Sequence, residues 1–448
     1  MTTHDEALRD KLDACLRILA NDPGPLDPDD PRNVHDLHGS EAEDDVLALK
    51  RACERIEGSA MFYFTGQRGT GKSTELKRLA VLLSNNESKA FVVDALDYIS
   101  DTHLIRLADL ILVVALAFAE RILEETGEEF LKDGVATRFV AWLDTEIEFK
   151  EFTLPSVKVA FKERQNSLMA RIHGFDPARQ EKFIAECRDF ITELSRFARQ
   201  RLKRERIVLI VDSLERLRGV GALATDMFDR IVDVFDGNME KLRVPELQLI
   251  FSVPPYLPYL ANVRNMVRVF SLASVRVWQP PGSGQRRMRR EEGVAVMRKV
   301  LNKRYAHWEH LIQPDALDEL SLQSGGDLRQ LLLRLLTEAL DQGYFALDRL
   351  PLAKDDPIIK TVVARQQGEF RSLVAQNEYA MLKSIGMSNL AELPDRADLP
   401  DIARFFDTRI ILNYRNGVDW VDLNPMLWPL IDAYQPAPTP GPKTNANA

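Results

Sequence analysis

The sequence predicts an α/β protein built on a parallel sheet with helices on both faces. Short apolar runs occupy residues 60–65, 207–211 and 247–251, and long helical patterns separate them. Runs that are apolar throughout are typical of strands buried on both faces, and their alternation with helices is typical of a parallel sheet. A glycine-rich segment between the first run and a helical pattern is the third observation that favours this class.

The individual elements follow from composition and periodicity. Residues 1–42 are acidic, and the prolines between positions 22 and 32 predict irregular backbone there. A mostly helical pattern fills residues 102–206 and predicts a long helical insertion, while alternating apolar residues at 149–162 predict a hairpin or an extended excursion within it. The other elements expected up to residue 278 are a helix at 43–56, a strand at 60–65, a helix at 74–83, and strands at 91–95, 207–211, 247–251 and 275–278.

Length and composition exclude several classes of protein. The 448 residues, 45% of them hydrophobic, suffice for about two to four domains. The net charge of −9 argues against a protein that coats nucleic acid, although it leaves room for a local basic patch. Three scattered cysteines favour a reducing cytosol, and the N-terminus lacks the pattern of an export signal.

The sequence predicts neither a membrane-spanning helix nor a Cys/His metal site. The longest apolar run, residues 110–119, is too short to span a bilayer and is expected to be a buried helix. No spacing of cysteines and histidines along the sequence is typical of a metal site. His307 and His310 lie three residues apart and are expected on a helix surface.

Residues 66–73 read Gly-Gln-Arg-Gly-Thr-Gly-Lys-Ser, a complete phosphate-binding loop between a predicted strand and a predicted helix. Its glycines allow the backbone to bend so that amide groups face phosphate oxygens at the positive end of the helix. Lys72 is expected to reach the outer phosphates, and the Ser73 hydroxyl is expected to bind Mg²⁺. The residues predicted to contact the nucleotide are Gly66, Gln67, Arg68, Gly69, Thr70, Gly71, Lys72, Ser73 and Thr74.

Two polar residues close neighbouring apolar runs. Asp212 follows the run at 207–211, and Ser252 follows the run at 247–251. Because ligands bind at the carboxyl ends of parallel strands, Asp212 is expected to hold Mg²⁺, and Ser252 to contact the attacking water or the outer phosphate. The simpler alternatives are that Asp212 caps the next helix and that Ser252 merely ends its strand.

Together with the loop, Asp212 and Ser252, the later segment Gly325-Gly326-Asp327-Leu328-Arg329 resembles the AAA+ ATPases, in particular the branch of origin-recognition-type ATPases and signal-transducing STAND ATPases. The resemblance covers about residues 35–430, with its specificity concentrated in the loop. It implies a P-loop NTPase core followed by a helical lid. Arg329 matches the sensor arginine of that lid, with a solvated arginine at a helix start as the alternative.

The acidic pattern after the third strand departs from typical AAA+ proteins. In those proteins a glutamate that activates water follows the aspartate directly, whereas Ser213 follows Asp212 here and the first glutamate is Glu215. Glu215 is therefore the candidate base, displaced into the turn, and we expect slow hydrolysis. The sequence Asp-Ser-Leu-Glu-Arg at 212–216 is closer to the strand end of STAND-like and KAP-like ATPases, which favours a nucleotide-operated switch over a continuous motor.

The resemblance also suggests which residues contact the nucleotide base and which reach a neighbouring subunit. Residues 37–41, Leu-His-Gly-Ser-Glu, are similar to the turn with which the family covers adenine, although Ser40 replaces the usual arginine. Because no guanine-reading Asn-Lys-x-Asp motif is present, ATP is expected rather than GTP. Arg264 and Arg268 lie where the family places an arginine finger, with ordinary surface charges as the alternative.

The C-terminal part predicts helices followed by a hairpin. Helices are expected at 378–385 and 399–406, and the runs 410–414 and 418–423 alternate around Asn416-Gly417, a strong hairpin signal. This order resembles a winged-helix domain, which often binds DNA in relatives.

Charge argues against tight DNA binding by this domain. The predicted reading helix at 399–408 and its flank hold Asp401 and Asp407 beside Arg404 and Arg409, a mixture that neutralises phosphates poorly. Protein contact or intramolecular gating is therefore favoured. The strongest basic run, at 286–290 with arginines at 286, 287, 289 and 290, would grip nucleic acid or a neighbour's nucleotide, or else form a solvated boundary between core and lid.

The sequence thus predicts an AAA+/STAND-like ATPase that binds ATP and Mg²⁺ and acts as a switch for oligomer assembly or partner binding. The alternative is a nucleic-acid-binding ATPase of a replication, transposition or phage-defence system. The expected partners are ATP and either further copies of the chain or an effector protein, with weak DNA binding at most, no membrane and a cytoplasmic location. The expected divisions are an acidic N-terminal segment at 1–42, a P-loop core at 43–280 with the insertion at about 102–206, a helical lid at 281–367, a winged-helix-like domain at 368–434 and a disordered tail at 435–448.

Overall fold

A computed structural model describes most of the chain. The described residues are 3–21, 24–34, 37, 44–127, 134–149, 157–219, 223–259, 261–279, 287–391, 398–415 and 419–435. Outside them lie the predicted turn over adenine at 38–41, Arg286, the Asn416-Gly417 pair and residues 436–448 of the predicted tail.

A parallel sheet forms the centre of the structure. Its strands are β1 (Ala60–Gly66), β2 (Ser88–Asp94), β3 (Arg206–Asp212), β4 (Gln248–Val253) and β5 (Arg268–Leu272). Within the described ranges these five strands pair in the order β2-β3-β4-β1-β5, all in parallel. Parallel neighbours require crossover connections, which the intervening helices supply. The predicted fold class, an α/β P-loop core on a parallel sheet, is confirmed.

The last strand of the sheet differs from the prediction. A strand was expected at 275–278, but β5 occupies Arg268–Leu272 and pairs with β1. The apolar residues after β5 are used differently, because the Val275 amide donates to the Gly326 carbonyl of the lid at 3.1 Å. The expected strand at 275–278 is therefore wrong: its apolar residues are buried against the lid and not in the sheet.

Helices cover both faces of the sheet. On one face, α2 (Asp45–Arg55) and α3 (Lys72–Leu83) pack against Phe62 and Phe64 of β1. On the other face, Tyr63 belongs to the large apolar core that includes the helical insertion. This alternation of β1 side chains between the two cores is the period-2 pattern of a strand. Asp44 caps the N-terminus of α2, because its carboxylate accepts hydrogen bonds from the Val46 and Leu47 amides at 2.8 and 3.2 Å.

The predicted insertion is helical. It comprises α4 (Leu107–Thr126), α5 (Val135–Ile147), α6 (Val157–His173) and α7 (Pro177–Leu202). Almost every residue of α4 up to Leu123 is buried, as expected for a helix that is apolar on all sides. Of the segment expected as a hairpin or excursion at 149–162, residues 157–162 are helical. A search of the described helices finds none with the length and apolarity needed to cross a membrane.

Helices that follow the sheet form a lid, and the N-terminal helix packs against them. Within the core, α8 (Leu223–Val232) and α9 (Met239–Leu242) lie between β3 and β4, and α10 (Ala261–Met266) lies between β4 and β5. The lid contains α11 (Glu291–Arg304), α12 (Pro314–Gln323), α13 (Leu328–Gln330, continued by a π-helical turn at Leu331–Leu336 and by Thr337–Gly343) and α14 (Pro357–Ser372). Helix α1 (Thr3–Ala20), which was not predicted, buries Leu12, Cys15 and Leu19 and packs against α13.

The C-terminal part folds onto the core. It comprises α15 (Tyr379–Ser388), α16 (Leu399–Asp407), β6 (Ile411–Arg415), β7 (Asp419–Leu423) and α17 (Trp428–Ala433). β6 and β7 pair in antiparallel register, which confirms the predicted strands of the hairpin. The expected division at residue 367 lies inside α14, so a continuous helix joins the lid to this part. Short 3₁₀ or π turns complete the described elements at Ala95–Asp97, Leu214–Arg216, Asp233–Gly237, Leu257–Tyr259, Trp308–His310, Leu347–Arg349, Gln376–Glu378 and Pro425–Leu427.

Candidate nucleotide-binding site

The register of the sheet brings the phosphate-binding loop, Asp212 and Ser252 to the same edge. β4 lies between β1 and β3, with Phe64 opposite Ser252 and Val211 opposite Phe251. The carboxyl ends of the three strands are therefore side by side. The polar residues that follow apolar runs far apart in the sequence meet here because parallel strands all end at one edge.

The loop has a conformation that requires glycine at two positions. Gly69 and Gly71 have φ angles of 92° and 91°, in the left-handed region that side chains disfavour. At Gly69, a Cβ atom would also lie 2.7 Å from Oδ1 of Asp327 and 2.9 Å from Cβ of Arg329. The predicted sensor segment of the lid is thus packed directly on the loop.

Lys72 is buried at the start of α3 and is held by two groups. Its Nζ donates to the Gln67 carbonyl at 2.9 Å and forms an ion pair with Glu215 at 3.2 Å. The Thr70 hydroxyl also donates to the Gln67 carbonyl, at 2.9 Å. The ammonium group therefore points back over the loop, where phosphates would lie, and not into solvent.

Ser73 and Asp212 form an oxygen-rich pair beside Lys72. The Ser73 side chain lies close enough to Asp212 to lower the pKa of its carboxyl, and the Ser213 amide donates to Asp212 Oδ1 at 2.7 Å. Burial, followed by the negative charge of Glu215, raises the pKa of Asp212 to about 6, although Ser73, the Ser213 amide and Lys72 oppose this rise. Hydroxyl and carboxylate oxygens are ligands that Mg²⁺ prefers, and a buried carboxylate with too little positive charge nearby fits a cation site.

Glu215 lies in a 3₁₀ turn after β3, and its carboxylate contacts the site. Ser213 adopts a left-handed φ of 71°, which turns the chain sharply after Asp212. The Ser252 hydroxyl donates to Oε2 of Glu215. Burial alone would raise the pKa of Glu215, but Lys72 and the Ser252 hydrogen bond lower it overall. The turn that was expected to displace Glu215 instead carries it back toward Lys72.

A cavity of about 460 Å³ opens beside the loop, a size suited to a small-molecule ligand. Its polar lining includes Arg68, Lys72, Ser73 and Thr74 of the loop segment, together with Glu215. Apolar side chains of the N-terminal segment and the lid also line it: Leu19, Leu26, Val34, Leu37, Val300, Leu328, Leu332 and Leu333. A lining that combines polar and apolar groups suits a ligand with phosphates and a base.

Several arginines line the cavity. Arg329 is exposed and lines the cavity, in agreement with a side chain free to reach a ligand there. Arg68 also lines it and donates to the Arg216 carbonyl at 2.7 Å, which connects the loop to the turn that carries Glu215. The other arginines along the cavity are Arg32, Arg216, Arg218 and Arg304.

The N-terminal segment supplies a wall that the sequence did not predict. Thr74 of the loop helix accepts the Leu26 amide at 3.1 Å, which ties the segment to the site. Asn33 lines the cavity and is only 6% exposed, and within the described part of the chain its Nδ2 has no hydrogen-bond partner. A buried amide without a partner is costly, so it is a candidate to bind the ligand. Its only sequence signal was its place in the proline-rich region.

The C-terminal hairpin contacts the phosphate-binding loop. The Gln67 amide group donates to the Ile411 carbonyl, and its Oε1 accepts the Asn413 amide at 3.2 Å. Nearby, Arg409 forms an ion pair with Asp327 at 2.9 Å, so the hairpin, the lid and the loop meet at one place. No pattern in the sequence linked these residues. Gln67 and Asn413 of the hairpin are 346 positions apart.

The predicted reading helix, α16, faces the core. Its side chains Ile402, Ala403, Phe405 and Phe406 are buried, and Phe406 stacks on Tyr259 with ring centroids 5.2 Å apart. Burial raises the pKa of Asp407 to about 7, against the effect of Arg68 and with a contribution from Glu215. The charge of Asp407 in α16 therefore interacts with the charges of Arg68 and Glu215 at the candidate site.

The predicted arginine-finger candidates lie away from the loop. Arg264 forms an ion pair with Asp419 at 3.1 Å. Arg268 begins β5 at the opposite edge of the sheet and lies over the Phe270 ring at 4.8 Å. A role for either toward a neighbouring subunit stays a prediction.

The described arginines of the basic run are paired within the chain. Arg287 binds Asp422 at 3.3 Å, also contacts Asp432, and lies 4.0 Å from the centre of the Trp428 ring. Arg289 pairs with Glu291 and Asp318, and Arg290 pairs with Glu292. This segment therefore joins the lid to the C-terminal part.

Comparison with known proteins identifies no family. No family model matches the chain, and no curated protein does. Solved structures to which it is similar include two of the Aeropyrum pernix ORC2 protein, one with ADPNP and ADP and one in the ADP form. Both are 12% identical in sequence, with TM-scores of 0.37 and 0.39; the match covers 93% of this chain and 96% and 95% of theirs. A similarity of this size does not assign an activity.

Proposed function

We propose that this chain binds ATP with Mg²⁺, hydrolyses it slowly and uses the bound state as a switch that controls assembly or partner binding. The observation that carries the proposal is the convergence of Lys72, Asp212 and Glu215 at a phosphate-binding loop, with Lys72 and Glu215 3.2 Å apart. These are the groups that phosphoryl transfer to water requires: a cation for the phosphates, a metal ligand and a base.

Binding and metal roles follow from the contacts. In the proposal, the phosphates of the nucleotide replace Glu215 as the partner of Lys72, which releases the Glu215 carboxylate for water. Ser73 and Asp212 would hold Mg²⁺, which supplies neutralisation of phosphate charge. The apolar side chains that line the cavity would contact the nucleotide base, and the Asn33 amide would pair with the edge of that base.

Slow hydrolysis is supported by the hydrogen bond between Ser252 and Glu215. Lys72 and Ser252 lower the pKa of Glu215 in the absence of nucleotide. When phosphates take Lys72, the Ser252 hydroxyl still donates to the carboxylate, and a carboxylate that accepts such a bond is a weaker base. Slow turnover gives a long-lived bound state, which a switch needs and a motor does not.

The switch is supported by the contact between the loop and the C-terminal hairpin. Gln67 lies between Gly66 and Arg68 of the loop and bonds the backbone of β6 on both sides of Leu412. Any change in the loop conformation on binding must alter or break these bonds. We propose that the hairpin and helices at 368–434 form a winged-helix-like domain that is released or held by this contact.

Protein contact is favoured over DNA as the output. The arginines at 287, 289 and 290 are paired with carboxylates, and so are Arg404 in α16 and Arg409 just after it. Arginines paired in this way release few counterions on binding DNA, so they add little affinity for phosphates.

Nucleotide titration of Lys72→Ala tests the proposal. Loss of a charge-assisted contact of roughly 1.5–3 kcal/mol should weaken ATP binding by about 10- to 100-fold. Lys182→Ala, at an exposed position on α7, is the control and should bind normally. Because Lys72→Ala leaves Glu215 buried without its partner, the double variant Lys72→Ala/Glu215→Gln separates unfolding from lost affinity. Unchanged ATP affinity in a folded Lys72→Ala protein would contradict the proposal.

A further inference from the structure

Three side chains from distant parts of the helical insertion meet outside the nucleotide cavity. His103 precedes α4, Asp109 lies in the first turn of α4, and His173 is the last residue of α6. Nε2 of His103 is 2.9 Å from Asp109 Oδ2, and Nε2 of His173 is 2.9 Å from both carboxylate oxygens. One ligand atom from each of the three residues lies within 4.8 Å of the others.

The cluster is buried but reachable. Asp109 is fully buried, whereas the side chains of His103 and His173 are 10% and 22% exposed. The solvent side of His173 therefore provides a path for an ion. The carboxylate is held in place from behind, because the Arg106 amide donates to Asp109 Oδ2 at 2.9 Å. Outer hydrogen bonds of this kind orient ligands in metal sites.

The ligand set specifies the class of ion. Two imidazole nitrogens and one carboxylate oxygen suit Zn²⁺ and similar transition metals, whereas Mg²⁺ prefers oxygen ligands and water. With ligand bonds of about 2.0–2.2 Å, tetrahedral geometry separates ligand atoms by roughly 3.3–3.5 Å. The observed separations of 2.9 Å require an outward shift of about 0.5 Å, which side-chain rotation allows.

Charge at the site also favours a cation. Asp109 lies at the N-terminal end of α4, where the helix contributes about half a positive charge. The full negative charge of the carboxylate exceeds this.

We propose that His103, Asp109 and His173 bind a divalent transition-metal ion of the Zn²⁺ class, with three protein ligands and a fourth position open to solvent. The ion joins the end of α6 to the start of α4. It also fixes the segment that precedes α4, where Asp101 lines the nucleotide cavity and pairs with Arg218 at 3.0 Å. Metal binding itself is independent of the proposed nucleotide site.

The test is metal binding by the full-length chain. Protein freed of metal by dialysis against a chelator is titrated with Zn²⁺ in excess Mg²⁺ and without nucleotide, followed by calorimetry. Co²⁺ is then added in place of Zn²⁺ to record the visible absorption that reports tetrahedral nitrogen and oxygen ligands. We expect tight binding of one ion per chain to this cluster and a higher thermal unfolding midpoint with Zn²⁺, because an ion that binds the folded state stabilises it.

His173→Gln separates a metal site from a hydrogen-bonded cluster. The glutamine amide still donates to Asp109 but is a poor metal ligand, so the variant should fold normally and lose Zn²⁺ affinity by more than the roughly 10- to 100-fold typical of an outer partner. His103→Gln should behave alike. His310→Gln, at an exposed histidine elsewhere, is the matched control.

Two results would overturn the inference. One is the absence of Zn²⁺ binding by the folded wild-type chain. The other is equal Zn²⁺ affinity in wild type and in both glutamine variants, which would place the ion elsewhere. Because the measurement uses no nucleotide, its outcome does not depend on whether ATP binds at Lys72.

Discussion

Gln67 in the phosphate-binding loop accepts a hydrogen bond from the backbone amide of Asn413 in the C-terminal hairpin, 346 residues away in sequence, at 3.2 Å. The same glutamine side chain donates to the Ile411 carbonyl. The Gln67 side-chain amide thus donates to one backbone group of β6 and accepts from another, as the backbone of a paired strand does. This places the C-terminal part in direct contact with the residues proposed to bind phosphate.

Gln67→Ala should uncouple the hairpin from the loop. Loss of its two hydrogen bonds, about 1–3 kcal/mol in total, should speed amide hydrogen exchange in β6 and β7. ATP affinity should hold or rise, because the backbone of the loop still makes the phosphate contacts and binding no longer has to break these hydrogen bonds. Exchange measured with and without ATP checks this, and Gln376→Ala, at an exposed site, serves as the control. Identical exchange in wild type and variant would mean that the contact does not hold the hairpin.

Glu215→Gln should remove hydrolysis while preserving binding. A general base contributes roughly 10²- to 10⁴-fold in rate, and its loss should reduce turnover by that range. Binding should hold or improve because a negative charge leaves the phosphate site. Phosphate release and nucleotide titration measure the two effects, with the exposed Glu240→Gln as the matched change. Normal turnover in Glu215→Gln would show that another group activates water.

Asp407→Asn should raise stability at neutral and alkaline pH. Burial raises the pKa of Asp407 from 3.8 to about 7, so the folded state holds the proton more tightly than the unfolded state. Stability therefore falls as pH rises between these values and stays lower above them. At roughly 1.4 kcal/mol per pKa unit, the upper limit is a few kcal/mol.

Urea unfolding across this pH range measures the effect. The variant should match wild type near pH 4 and exceed it near pH 8, the values on either side of the titration. Asp401→Asn lies on the same helix with a side chain that is 49% exposed, and it should leave the profile unchanged. The same pH profile in wild type and in Asp407→Asn would contradict the prediction.

Arg287→Ala should weaken the fold and leave DNA binding negligible. Arg287 lies against Trp428 and pairs with Asp422 and Asp432, so its loss should cost about 2 kcal/mol of unfolding free energy. Urea unfolding gives the stability, and anisotropy of labelled duplex DNA gives the affinity. Arg51→Ala, at an exposed position on α2, is the control. Salt-dependent DNA binding by wild type that this variant loses would support the alternative, a nucleic-acid-binding ATPase.

Local signals in the sequence were sufficient to predict the core of the candidate site. The order of glycines and Lys72 in one short loop fixes a phosphate-binding conformation, and apolar runs closed by Asp212 and Ser252 identify strand ends at one sheet edge. These inferences hold because each depends on neighbouring residues or on a rule common to all parallel sheets. The chain alone therefore predicted the fold class and the meeting of the loop with Asp212 and Ser252 at one edge of the sheet, and the binding of nucleotide there stays a prediction.

Only the tertiary structure decided what surrounds that core. The pairing of Lys72 with Glu215 depends on the left-handed turn at Ser213, and the contact of Gln67 with β6 depends on how the C-terminal part docks. The cluster of His103, Asp109 and His173 likewise forms through helix packing across 70 positions, without any spacing rule. Contacts between distant segments are set by the burial of whole apolar faces, and no local pattern records which polar residues those faces bring together.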